Sequence, residues 1–206
     1  MTKIATADSV SAELRIKIAA HKVFLAKGFA ATTVRDVAKE ARTNVASVNY
    51  YFRTKKNLFN VIMTEKAQQI LGALGPVLGN ERTTLDQKID SIVNCYLDFL
   101  LANPDLPMLI LNEVKKKNFE FISGAQINKL LLQSNFLKQL KAVNGTLDPV
   151  QFFITMVGMI LFPFVAKPVI LQTGLVKEKD FQSMIQERRA LVPVWVKVML
   201  KTRQKR

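Results

Sequence analysis

The run Thr33-Val34-Arg35-Asp36-Val37-Ala38-Lys39-Glu40-Ala41-Arg42-Thr43-Asn44-Val45-Ala46-Ser47-Val48-Asn49-Tyr50-Tyr51-Phe52 contains two helix starts separated by a short turn. At the first, the Thr33 hydroxyl is placed to cap a helix while Asp36 reaches back, a capping box with Asp in the usual Glu position. Val34, Val37, Ala38 and Ala41 then form one apolar stripe, with Ala38 small enough for a crossing helix to approach closely. Arg42 and Thr43 make the turn, and Asn44 is a second good N-cap. In the helix that follows, Val48, Tyr51 and Phe52 are spaced to pack inward. Val45, Ala46, Ser47, Asn49 and Tyr50 are left on the outer face.

Two short helices joined in this way, the second showing small and hydrogen-bonding side chains, match what reading a major groove requires. Ala46 and Ser47 keep the front of the helix slim. Asn49 can pair bidentately with an adenine edge, and the Val45 and Ala46 methyl groups can meet a thymine methyl. Arg35, Lys39, Arg42, Arg53 and Lys55 surround this face and are expected to grip phosphates. Thr54 can cap the next helix, leaving its free amides, with Lys55 beside them, aimed at a phosphate. Upstream, Ile16, Ala19, Ala20, Val23 and Phe24 keep helical spacing from Leu14 to Phe29, with Lys17, Lys22 and Lys27 outside. Gly28 permits the left-handed turn that ends that helix.

Outward from here the pattern stays helical and strand alternation is absent. Amphipathic segments are predicted at Asn57–Leu78, Thr84–Leu101, Ile127–Leu140 and Asp180–Lys201. In Thr84–Leu101 the polar face carries Asp86, Lys88, Asp90 and Asp98. Phe152–Leu171 is apolar enough to suggest a membrane span, but Lys167, Pro163, Pro168 and the lack of a second candidate favour a buried helix, kinked or interrupted by the prolines. The fold class is therefore all-α: an N-terminal three-helix domain with a helix-turn-helix, residues 1–58, then a larger helical bundle, residues 59–206.

The net charge of +14 calls for a polyanionic partner, nucleic acid or an acidic membrane. Its location discriminates: residues 1–58 hold eleven basic and four acidic side chains, whereas residues 59–196 hold fourteen and twelve. The partner is expected on the N-terminal segment. One cysteine, Cys95, allows neither an intrachain disulfide nor a thiol metal cluster, and is read as a small buried apolar residue. The start of the chain lacks the apolar stretch of a secretory signal, which predicts a reducing, cytoplasmic location. No nucleophile–base pair, metal-ligand cluster or phosphate loop stands out, and His21 is a lone histidine with a packing or surface role. No catalytic residue, metal or cofactor is expected, and an enzyme is the weakest reading. A non-specific basic protein of nucleic acid or membrane surfaces would explain the charge but not the capped helix pair.

Residues 15–58 resemble the DNA-binding domain of tetracycline-repressor (TetR) family regulators. The resemblance rests on Val34-Arg35-Asp36-Val37-Ala38-Lys39-Glu40-Ala41 followed by Val48-Asn49-Tyr50-Tyr51-Phe52-Arg53-Thr54-Lys55-Lys56-Asn57-Leu58. It places Thr33, Asn44, Ala46, Ser47, Asn49, Tyr50 and Lys55 where the family contacts DNA, Tyr50 and Lys55 mainly on phosphates. Two positions depart from the family: Arg42-Thr43 replaces a common Gly-Val in the turn, and Val45-Ala46 replaces a Lys-Gly pair.

The resemblance implies a repressor, released from a palindromic operator by a small-molecule inducer, whose later helices sense the inducer and dimerise. Double-stranded DNA carrying an inverted repeat is the expected partner, with a second copy docked through the last two long helices. An inducer pocket is expected among the central helices, lined by residues such as Tyr96, Phe99, Met108, Phe119, Phe121, Met156 and Met159. Asp98, Asn112 and Glu113 are candidates to orient a polar or cationic ligand.

Overall fold

A computed structural model describes residues 7–114 and 130–201 of the chain. Every element among them is a helix. In chain order these are α1 (Ala7–Ala31), α2 (Val34–Glu40), α3 (Val45–Phe52), α4 (Lys55–Gly79), α5 (Leu85–Ala102), α6 (Leu106–Val114), α7 (Asn135–Val143), α8 (Pro149–Val165), α9 (Lys167–Gln172) and α10 (Glu178–Lys201). The described residues form two compact units: 7–67 with 109–114, and 68–108 with 130–201. The expected boundary at residue 58 falls inside α4, which runs unbroken through the division at Ala67.

In the first unit α1 is broken at Gly28, whose φ of 74° is the left-handed backbone that its sequence position suggested. Phe24, Phe29 and Phe59 build an aromatic centre, with Phe59 5.1 Å from Phe24 and 5.0 Å from Phe29, both edge-on. Ile16, Ala20, Val37, Val48 and Phe52 are buried in the same unit. These residues come from three successive helices and the start of α4, which is why α3 can be short and still hold its orientation.

The second unit is a bundle in which α10 packs on α5 and α8. Its core joins Leu74 and Leu78 of α4, Ile89, Val93 and Leu97 of α5, Phe136 and Leu140 of α7, Met156 and Ile160 of α8, and Ile185 and Val196 of α10. Thr84 caps α5 in a capping box with Gln87.

Two expectations need correction here, and a third is met. Lys88, placed by spacing on the polar face of α5, is wholly buried. Its ammonium loops back to donate to the Thr83 carbonyl at 2.7 Å and hydroxyl at 2.9 Å, so the apolar stem can lie in the core. Burial lowers its pKa. The Ile127–Leu140 helix is interrupted: residues 130–132 are helical, but Ser134 starts α7 afresh by capping it, accepting from the Leu137 N–H at 3.1 Å. Residues 127–129 lie outside the described residues. Finally, Pro163 sits inside α8 without ending it, and the break in Phe152–Leu171 comes at Ala166, where Pro168 in the first turn of α9 starts a new helix.

Candidate nucleic-acid interface

Each of the two short helices is held at its start by a side chain. Thr33 accepts from the Asp36 N–H at 3.1 Å while Asp36 accepts from the Thr33 N–H at 2.8 Å, the full capping box. Asn44 Oδ1 accepts from the Ser47 N–H at 2.7 Å. Arg42, in the turn between them, has a φ of 52°, a left-handed backbone that costs a residue with a Cβ about 1 kcal/mol. A glycine at this position would remove that strain; this chain accepts it and gains a cation at the turn.

On α3 the burial divides as the spacing predicted. Val48 and Phe52 are 2% and 3% exposed, and Tyr51 is half-buried. Val45, Ala46 and Asn49 are exposed, Ser47 is half-buried, and Tyr50 is 79% exposed, its ring standing edge-on to Tyr51 at 5.2 Å. Nothing bulkier than valine stands at the front of the first turn. The helix ends on Arg53, at φ 60° and ψ −52°, where the Thr54 N–H donates back to the Phe52 carbonyl at 2.6 Å in a γ-turn. Such a turn is strained and needs support, and Asn57 Nδ2 supplies it by donating to the same carbonyl at 3.1 Å.

Charge is sorted around this face. The α1 lysines are neutralised within the unit: Lys17 on Glu65 at 2.6 Å, Lys22 on Glu40 at 2.5 Å and Lys27 on Asp36 at 2.7 Å. The hydrogen bond from Lys27, followed by those from the Thr33 hydroxyl and N–H, holds the Asp36 carboxyl well below the usual carboxylate range. Glu40 is held down in the same sense by the Lys22 hydrogen bond. Arg35, Lys39, Arg42, Arg53 and Lys56 are exposed and make no ion pair among the described residues. The acids therefore spend themselves on α1 and leave the cations beside α2 and α3 unpaired. Lys56 is not singled out by the sequence pattern; its signal was its place in the first turn of α4, next to Lys55.

Lys55, expected on a phosphate, has its ammonium engaged within the unit in the free chain. Its ammonium turns away from solvent and donates to the carbonyls of Thr32 at 2.7 Å, Phe29 at 2.9 Å and Ala30 at 3.3 Å, with the Phe29 ring 4.5 Å beneath it. Those carbonyls lie at and just beyond the C-terminal end of α1, the negative end of its dipole, which attracts a cation. His21 is half-buried; burial, then the charge of Lys66, lowers its pKa.

The described residues expected to form an inducer pocket fall in several places. Met156 is wholly buried in the core, and Tyr96, Phe99 and Met159 pack against that core. Met108 is half-buried and Asn112 is exposed. Phe119, Phe121 and the Glu113 side chain lie outside the described residues. Asp98 is ion-paired to Arg189 rather than free to orient a ligand. A cleft of about 210 Å³ opens instead between α7 and α8, walled by Leu132, Phe136, Leu137, Leu140, Val150, Phe153 and Ile154.

Two capped helices, a slim outward face on the second and unpaired cations around it define a helix-turn-helix DNA-binding regulator. Residues 18–62 match the family model described as bacterial regulatory proteins, tetR family. Over those residues the chain is similar to the DNA-binding domain of the tetR family of bacterial regulators. It is 23% identical over 207 residues to the probable HTH-type transcriptional regulator YttP of Bacillus subtilis (strain 168), covering 94% of this chain and 96% of the relative. Its fold is similar to a TetR-like transcriptional regulator from Rhodococcus sp. RHA1, with a TM-score of 0.70 at 16% identity over 98% of this chain and 100% of that one. It is also similar to the fatty acid degradation regulator FadR of Bacillus halodurans, with a TM-score of 0.65 at 19% identity over 92% and 96% of the two chains. Regulators of this family bind DNA, form dimers and are not enzymes. Among the described residues no helix is long and apolar enough to cross a membrane.

Proposed function

We propose that the protein is a repressor that binds an inverted-repeat operator as a homodimer and is released by a small-molecule inducer. Residues 1–58 serve DNA, residues 59–206 serve dimerisation and sensing, and α4 is common to both. The observation that carries this reading is the outward face of α3. Asn49 is exposed there between the slim first turn and Tyr50, so it can take an adenine edge while Val45 and Ala46 meet thymine methyls and Ser47 leaves room. Thr33, Asn44 and Tyr50, with the unpaired Arg35, Lys39, Arg42, Arg53 and Lys56, hold the register on phosphates.

One such helix reads only a few base pairs, so two copies are needed for a full site. The last two long helices supply the means. On α10, Leu191, Val194, Trp195 and Val198 fall at three- and four-residue spacing and all stand exposed; on α8, Ile154 and Phe162, eight residues apart, are exposed as well, Phe162 at 65%. An apolar stripe of this kind on two adjacent helices is a surface that a monomer rarely leaves in water. The cleft between α7 and α8 is walled by apolar side chains alone, which suits an uncharged, apolar inducer.

Selection of bound duplexes from a random pool tests the reading. An inverted repeat whose half-sites contain A·T pairs and lie about one helical turn apart is the expected result. Recovery of duplexes without any common motif, all lost alike as salt is raised, would instead mark a non-specific basic protein.

A further inference from the structure

The first turn of α4 reaches both of the helix ends that frame the DNA-facing surface. Lys55 holds the end of α1 through the carbonyls of Phe29, Ala30 and Thr32. Asn57 holds the end of α3 through the Phe52 carbonyl, while its own N–H donates to Thr54 Oγ1 at 3.0 Å. An ammonium has three N–H donors, and all three of Lys55 are occupied. For the same group to reach a phosphate, it would have to abandon the carbonyls at the end of α1. Exchanging two short charge-assisted bonds and a third, longer one for a single bond to a phosphate is unfavourable.

We propose that Lys55 and Asn57 are positioning residues, a two-pronged clasp that fixes α3 relative to α1, and that Lys55 supports DNA binding without touching the phosphate backbone. The inference rests on α3 being the recognition helix. Asn57 also steadies the strained Arg53 turn, which leaves the Phe52 carbonyl facing the clasp; without that bond the last turn of α3 loses its anchor. Phe29 joins the two functions, since its ring lies under the Lys55 ammonium and against Phe59.

The salt dependence of binding by the full-length protein separates positioning from phosphate contact. Log affinity against log salt falls with a slope of roughly 0.9 per phosphate neutralised, so loss of one contact removes about one from the slope. Arg35→Ala, which removes an unpaired exposed cation, is expected to lower the slope by about one on both operator and random duplex. Lys55→Met and Asn57→Ala are expected to leave the slope unchanged while the ratio of operator to random affinity falls about tenfold or more. A slope lowered by about one in Lys55→Met, with that ratio intact, overturns the proposal. The wild-type protein gives a second readout that no misfolded variant can spoil: the ¹⁵N signal of the Lys55 ammonium. A clasped ammonium is protected from solvent exchange in the free protein and keeps its shift when a duplex is added. One that exchanges freely and becomes protected only on DNA is a phosphate ligand, and the proposal fails. Because the random-duplex slopes and the ammonium signal need no operator, they remain readable if selection finds none, and that outcome would count against the repressor reading instead.

Discussion

At the scale of single residues, Arg42 and Thr33 show how the site balances stability against contact. Arg42 occupies a left-handed backbone that glycine adopts without penalty, so Arg42→Gly is expected to stabilise the first unit by up to about 1 kcal/mol in denaturant unfolding. The same change removes a cation from the turn and is expected to weaken binding to all duplexes alike. An Arg42→Gly protein no more stable than the parent would show that the strain is relieved elsewhere. Thr33→Ala removes the cap of α2 and is expected to cost about 1 kcal/mol, read as a lowered midpoint with an unchanged slope in denaturant.

At the scale of elements, much of the first unit could be read from the chain because its signals are local. Thr33 with Asp36, Asn44, Gly28 and the alternation of Val48 and Phe52 with Ala46 and Asn49 are each set by neighbours within four residues, and the structure has them in those roles. Lys55 escaped the reading because its partners lie more than twenty residues back, on a carbonyl cluster that exists only once α1 has folded against α4. Ser134 escaped for a different reason: an apolar repeat on both sides of it outweighed a cap signal with no Glu or Gln behind it. The elements also carry a pH dependence. His21 has a folded pKa below its ordinary 6.5, so the unfolded chain takes up its proton first; stability is full above that value and falls as pH drops toward the folded pKa. Asp36 and Glu40 act in the same direction lower down, their contribution present above the ordinary carboxylate range and lost as pH falls through their depressed values. Thermal melts should therefore show the first unit weakening from pH 7 to 5 and again below pH 4, and a melting temperature that stays level across both windows would contradict these assignments.

At the scale of the whole molecule, the second unit was legible as an all-α bundle but not in its details. Helical spacing identifies which faces are apolar, yet it does not say whether an apolar residue meets its own core or a second copy. Met156 and Phe162 lie on one helix, one buried and one exposed, and the sequence treats them alike. Tyr96, Phe99, Met156 and Met159, read from spacing as pocket candidates, lie in or against the core, while the open cleft is lined mainly by leucines with Phe136 and Phe153. The exposed stripe on α10 makes the dimer testable. Val194→Glu places a charge in the middle of the proposed contact and is expected to yield a folded monomer in sedimentation, with specific DNA affinity lowered at least tenfold as half-site pairing is lost. A Val194→Glu protein that sediments as a dimer would move the interface off this helix.

Base reading by the exposed side of α3 is most directly tested by running the random-pool selection in parallel on the wild-type protein and on Asn49→Ala. The substitution is expected to leave the repeat and its spacing intact, to flatten one position in each half-site, and to cost about 1–3 kcal/mol on the wild-type site. Two proteins returning the same motif with the same preference at every position would show that Asn49 does not face the bases and that α3 is not the element that reads them.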